Sequence, residues 1–178
     1  MSAVPAFRQT SYELGSGVSL GSVSTTDATT LGAALAAIDP WRRLGFAPER
    51  LVRFFTSQED AGTRFVIRAD GALAGFVCID AKWLCGPYLH FIGVVPGHQH
   101  KGIGSRVVSW FSDAAQAAGE GNAWVCVSDF NAGARALYER HGFAEVALLR
   151  DLVADGASEV LLRKALFVTS NPAGEPQK

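Results

Sequence analysis

The sequence predicts an α/β chain of the α+β kind, with a mixed, mostly antiparallel central sheet flanked by helices. Three observations point there. Short apolar runs rich in β-branched and aromatic residues recur at strand length; Asp-Gly pairs divide two sets of them as tight turns do; and runs of helical period are interposed between strands. The predicted order is strand, two helices, three strands, helix, strand, helix, two strands.

Val18 to Val23 is the first strand. Thr26 and Asp27 offer an N-cap to a helix over Ala28 to Ile38, which Asp39-Pro40 ends. Pro48 suits the first turn of a second helix through Phe55, with Leu51, Val52 and Phe55 as its apolar positions. Arg64 to Arg68 and Leu73 to Ile79 form a hairpin about Ala69-Asp70-Gly71. Tyr88 to Val95 is too short for a typical helix and becomes a central strand, closed by Pro96, which lacks a ladder donor. From Gly102, Ile103, Val107, Phe111, Ala114 and Ala118 fall on one helical face until Gly119 stops the run. Ala123 to Val127 is a strand, and Asn131 to Arg140 is a helix with His141-Gly142 as its exit. Ala144 to Leu152 and Glu159 to Leu166 close the order as a hairpin around Asp155-Gly156. Residues 18–168 thus read as one domain, with an N-terminal extension over 1–17 and a loose polar tail over 169–178.

Composition narrows the function classes. The 178 residues suffice for one sizeable core, and 48% are hydrophobic. A formal net charge of -1 lacks the basic field that nucleic acid or an acidic membrane surface attracts, so neither is an expected partner. Cys78, Cys85 and Cys126 have no paired C-x-x-C spacing, which fits reduced thiols in a cytoplasmic protein without a metal site. No apolar stretch follows Arg8 as in a signal peptide, and none reaches the ~18 residues that span a bilayer.

The junction Val94-Val95-Pro96-Gly97-His98-Gln99-His100-Lys101-Gly102-Ile103-Gly104 carries the sharpest chemistry. The first turn of a helix leaves about four amides without partners, the helix dipole makes that end electropositive, and glycines admit an anion close to the backbone. The inference is a phosphate or pyrophosphate site on the amides of Gln99 to Gly104. A Walker loop needs Lys and Ser/Thr where Ile103-Gly104 stand, and a dinucleotide fingerprint needs glycine where Val107 stands. What does match is Q-x-x-G-x-G at Gln99 to Gly104, preceded by Val-x-Pro at Val94 to Pro96. Here the sequence resembles the GNAT superfamily of acyl-CoA N-acyltransferases. The resemblance implies acetyl-CoA as co-substrate, with the backbone at Val94 pairing its pantetheine arm. It implies further cofactor contacts at Gln99, Lys101, Gly102, Ile103, Gly104 and Ser105. His100 stands where the family usually has glycine.

A second motif extends the resemblance over most of Val18 to Leu166. Asn131 to Phe143 matches the GNAT pattern N-x-x-A-x-x-L-Y-x-x-x-G-F at every specified position. By resemblance Asn131 binds the pantetheine arm. Tyr138 has a chemical rationale: a departing thiolate needs a proton or a hydrogen bond, and a phenol within reach supplies it, making Tyr138 the general-acid candidate. As a helix cap and a packed ring, the two residues would also serve the fold alone.

No motif assigns the group that takes the amine's proton. Strand alternation puts Tyr88, His90, Ile92 and Val94 on one face, which makes His90 the candidate base, directly or through water. A hydrogen-bonded strand histidine explains His90 equally, and Asp80, Asp129 and Glu145 are alternatives. In the resembled family the first two helices and their connection choose the acceptor. That implicates Trp41 and Phe46 as pocket walls, Asp39 as the carboxylate for an ammonium, and Tyr88 beside them. A hydrophobic helix corner is the other reading. His98-x-His100 lacks a third ligand, so no metal is expected. Cys126 reads as core rather than nucleophile, so transfer is expected to be direct, within a ternary complex. The expected function is therefore acetyl transfer from acetyl-CoA to a primary amine of a small molecule, peptide or protein. The alternative is a non-catalytic acyl-CoA-binding regulatory module. A homodimer through the late strands, with Val160-Leu161-Leu162 as apolar surface, is a further possibility that the resemblance raises.

Overall fold

The computed structural model describes residues 6–58 and 62–167; the predicted tail over 169–178 lies outside them. In chain order the elements are β1 (Tyr12–Gly15), β2 (Val18–Gly21), α1 (Thr25–Ala36), α2 (Pro48–Thr56), β3 (Gly62–Ala69) and β4 (Ala72–Trp83). β5 (Gly86–Val94), α3 (Ile103–Ala117), β6 (Asn122–Ser128), α4 (Ala132–Arg140), β7 (Ala144–Ala154) and β8 (Ala157–Ala165) follow. The strands form one sheet in the order β1-β2-β3-β4-β5-β6-β8-β7, with every neighbouring pair antiparallel except β5 and β6. The predicted mixed, mostly antiparallel sheet with flanking helices is what forms.

Strand alternation divides the interior into two layers. On β3 and β4, Phe65, Ile67, Val77 and Ile79 face one cluster with Ile103, Val107, Val108 and Phe111 of α3 and Tyr138 of α4. Val66, Phe76 and Cys78 face the other, with Leu31 and Leu35 of α1 and Leu51 and Phe55 of α2. Because both faces are covered, β3 and β4 read as continuous apolar runs. Each fully buried Leu or Phe contributes roughly 1.5–3 kcal/mol of hydrophobic free energy. The Asp70-Gly71 turn between β3 and β4 has φ of 50° and 80°, the two positive values that a tight hairpin requires.

Three local differences from the sequence reading have clear causes. α1 starts at Thr25, ahead of the expected Thr26-Asp27 cap, because Ser24 and Asp27 form a reciprocal capping box. Arg68 on β3 reaches Asp27 at 3.0 Å and ties this helix start to the sheet. β1 was not anticipated, since Tyr12–Gly15 is short and polar. It pairs with β2 and brings Tyr12 to 4.8 Å, ring to ring, from Trp110, while Phe7 packs 5.4 Å from the same ring. Val160, Leu161 and Leu162 are core residues; the exposed late apolar side chains among the described residues are Val146, Leu148, Leu152 and Val153 on β7, and Phe167.

Candidate active-site cleft

Among the described residues, the only parallel strand pair is also the shortest. β5 and β6 pair at Tyr88 with Trp124 and at Leu89 with Val125, and beyond these residues the strands part. Ile92, Gly93 and Val94 on one side and Val127 and Ser128 on the other then border a cleft of about 1010 Å³. The α1–α2 connection, the β5–α3 loop, α4 and the tip of the β7–β8 hairpin complete its lining. The guanidinium of Arg43 lies 3.9 Å from the centre of the Phe130 ring, joining the α1–α2 connection to the β6–α4 loop.

The loop entering α3 has the geometry of an anion cradle. Gly97, His100 and Gly102 have φ of 87°, 60° and 77°, so the chain repeatedly visits the left-handed region, a pattern that turns successive amides toward one side. No side chain caps α3 at Gly102, which leaves its first amides available. A Cβ at Gly102 would meet no atom within 4 Å, so backbone conformation rather than space calls for glycine there. His100 holds a left-handed conformation without being glycine, at a cost of roughly 1–2 kcal/mol. Gln99 donates from Nε2 to the carbonyl of Val94 at 2.9 Å and so folds the loop back on the end of β5.

Of the expected cofactor residues, Val94, Gln99, Gly102, Ile103, Gly104, Ser105 and Asn131 line the cleft. Lys101 is exposed and does not. Asn131 is the N-cap of α4, accepting from the amide of Ala134 at 3.1 Å. The Ser105 hydroxyl lies 2.7 Å from His141 Nε2, and Ser109 lies 3.3 Å from the other ring nitrogen. This bridge locks the start of α3 to the end of α4, the two elements that carry the motifs. Burial, then the charges of Lys164 and Arg140, hold the His141 imidazole below its usual range and favour the neutral ring, in which one nitrogen donates to a serine and the other accepts from one.

Tyr138 is 4% exposed, packs 5.9 Å from the ring of Phe143 and lines the cleft. Burial, reinforced by Glu159 and Cys126, pushes its phenol well above the ordinary range, so it stays protonated. Tyr88 hydrogen-bonds Cys126 and is likewise pushed up by burial and then by Cys126. Burial raises the Cys126 thiol too, which keeps it from being a thiolate.

His90 requires a correction. Cys78 pairs with Phe91 and Ile79 with Leu89, so His90 is the extra residue of a β-bulge. Leu89, Ile92 and Val94 therefore pack on the α3 side, and the shared face expected for Tyr88, His90, Ile92 and Val94 does not exist. His90 instead stands with Tyr88, 5.6 Å ring to ring, and against Phe54 at 5.1 Å, and still lines the cleft. Its Nδ1 is 3.2 Å from Asp80. Among the described residues, Cys78, Asp80 and His90 are the one set whose donor atoms approach within 4.8 Å of one another, and His98 and His100 do not join it.

The residues expected to hold the acceptor also meet at the cleft. Trp41 stacks on Phe91 at 4.6 Å and 17°, Phe46 carries the guanidinium of Arg50 at 4.0 Å, and both line the cleft with Phe54. Asp39 lines it as well but is engaged by Arg42 at 3.1 Å near the surface. Sequence reasoning missed Leu152 and Val153 at the hairpin tip and the buried Glu159, which accepts from Ser128 at 2.7 Å. The only signal for Glu159 was an acid standing directly before the apolar run Val160-Leu161-Leu162.

The sequence profile of the acetyltransferase (GNAT) family matches residues 33–143, from within α1 to the end of the second motif. The chain belongs to the GNAT family of acetyltransferases. Members of that family are acyltransferases, and GNAT enzymes use acetyl-CoA. Over 104 residues it is 40% identical to the streptothricin acetyltransferase of Streptomyces lavendulae, a stretch covering 57% of this chain and 55% of that enzyme. The match thus spans about half the length of that relative. Over 150 residues it is 27% identical to the ribosomal protein bS18-alanine N-acetyltransferase of Escherichia coli K12, covering 80% of this chain and 95% of that one. The GNAT fold is shared with the spermidine N-acetyltransferase of Vibrio cholerae solved with CoA and spermine, at a TM-score of 0.67, 17% identity, and coverage of 85% and 97%.

Proposed function

We propose that this GNAT enzyme moves an acetyl group from acetyl-CoA directly to a primary amine. One observation carries the reading: the uncapped α3 terminus and the protonated Tyr138 open into the same cleft. The amides of Gln99 to Ser105 would hold the pyrophosphate, with Lys101 lending charge from the surface. Val94 at the end of β5 and Asn131 at the cap of α4 would hold the pantetheine arm. Acetyl-CoA, when bound, supplies a thioester carbonyl open to attack. Tyr138 gives its phenolic proton to the leaving sulfur, for which its raised pKa keeps it ready.

The acceptor enters from the α1–α2 side, where Trp41, Phe46, Tyr88 and Phe54 present aromatic walls beside Asp39 and His90. A small amine with an apolar or ring-containing body fits such walls. The 40% identity to a streptothricin acetyltransferase supports that class over a protein N-terminus. Among the described residues no helix is long and apolar enough to cross a membrane, and the composition favours the cytoplasm. The exposed apolar side chains of the edge strand β7 suit a homodimer.

The test is thiol release from acetyl-CoA with streptothricin, spermidine and an alanine-ended peptide offered in turn. Turnover, fastest with streptothricin, is expected. Binding of acetyl-CoA without thiol release from any amine would leave a non-catalytic regulatory module in its place.

A further inference from the structure

Glu159 occupies an unusual position for a carboxylate. It lies on β8 directly opposite Ser128 of β6, 8% exposed, yet it borders the cleft with Cys126, Tyr88 and Tyr138. Among the described residues no Lys or Arg forms an ion pair with it, and its one hydrogen bond brings the Ser128 hydroxyl to Oε1. No described side-chain oxygen is both fully buried and unpartnered, so Oε2 keeps some accessible surface on a residue that lines the cleft. A buried carboxylate without a cation is costly to keep, and an arriving ammonium would satisfy it. The other lining carboxylate, Asp39, is already paired with Arg42 near the surface.

We propose that Glu159 anchors the acceptor's ammonium and takes its proton, a reading that rests on the amine acetylation proposed above. One N–H proton passes to the Glu159 carboxylate, and the freed nitrogen lone pair forms the C–N bond. As the C–S bond breaks, its electron pair leaves on sulfur, which takes the Tyr138 proton; the second proton on nitrogen restores the phenol through water. Glu159 then returns its proton to solvent, so the net products are amide, thiol and one proton. Burial pushes the Glu159 carboxyl up, the Asp129 charge adds to this, and the Ser128 hydrogen bond opposes it. The remaining titratable groups coupled to it, Tyr88 from β5, Cys126 from β6 and Tyr138 from α4, are kept neutral by their own raised values.

The experiment is the pH profile of kcat/KM for streptothricin, with calorimetric binding of streptothricin and of acetyl-CoA, in the wild type, Glu159→Gln, Glu159→Asp and Ser128→Ala. Glu159→Gln should lower kcat/KM by about 10²–10⁴-fold, weaken streptothricin, lose the acid limb and leave acetyl-CoA affinity unchanged. Glu159→Asp should recover part of the rate, and Ser128→Ala should move the acid limb to higher pH, since the bond it removes holds the carboxyl down. A Glu159→Gln enzyme with wild-type rate and acid limb would overturn the role of Glu159 alone. A wild type that neither binds nor turns over streptothricin, spermidine or the peptide would overturn the amine reading itself, and Glu159's role with it.

Discussion

Tyr138 illustrates how one side chain answers to packing and chemistry together. Its ring fills the core beside Phe143 while the residue borders the cleft, so removing only the hydroxyl should leave the fold intact. Tyr138→Phe is expected to keep the acetyl-CoA dissociation constant and to lower kcat by about 10²-fold or more, read from steady-state kinetics with calorimetric binding. Unchanged kcat would remove the phenol from the proton path. The motif made Tyr138 legible in the sequence, and the same holds for Gly102, whose φ of 77° is what the glycine spacing implies. Glu159 was not legible, because its meaning depends on Ser128, a neighbour 31 positions away that only the sheet brings opposite.

Among the elements, β5 shows where period-two reasoning stops. The strand itself was plain from Tyr88 to Val95, but a bulge adds one residue without leaving a mark in local composition. It turns His90 toward Phe54 and Asp80, while Ile92 and Val94 stay on the α3 side. The same bulged strand supplies Phe91, on which Trp41 of the α1–α2 connection stacks at 4.6 Å. That stack forms one wall of the proposed acceptor side, away from the α3 loop. Trp41→Ala should therefore raise the KM for the amine by about tenfold, the loss of ~1.4 kcal/mol expected of a stacked ring, with the KM for acetyl-CoA nearly unchanged. Equal increases in both would mean that the substitution disturbs the fold rather than the acceptor wall. The capping box at Ser24 and Asp27 was readable in principle, since the S-x-x-D spacing stands in the sequence; the neighbouring Thr-rich stretch disguised which residue caps.

For the whole molecule, the order of elements from β2 to β8 was readable because hydrophobic runs, hairpin turns and helical spacing agree locally. β1 escaped because its contribution comes from Tyr12 meeting Phe65 and Trp110, contacts with residues far along the chain. The parting of β5 and β6 after two paired residues escaped for the same reason, yet it creates the cleft. The proposed function rests on that arrangement: one strand leads into the α3 loop, the other toward the cap of α4, and the cleft between them is lined by the α3 loop, Tyr138 and Glu159. The most direct test of this account is thermal unfolding with and without acetyl-CoA, which requires no knowledge of the acceptor. Ligand at about a hundredfold over its dissociation constant should stabilise the native chain by about 2.7 kcal/mol, raising Tm by roughly 5–10 °C. An unchanged Tm at millimolar acetyl-CoA would contradict the account, because the loop from Gln99 to Ser105 would then not be a CoA cradle.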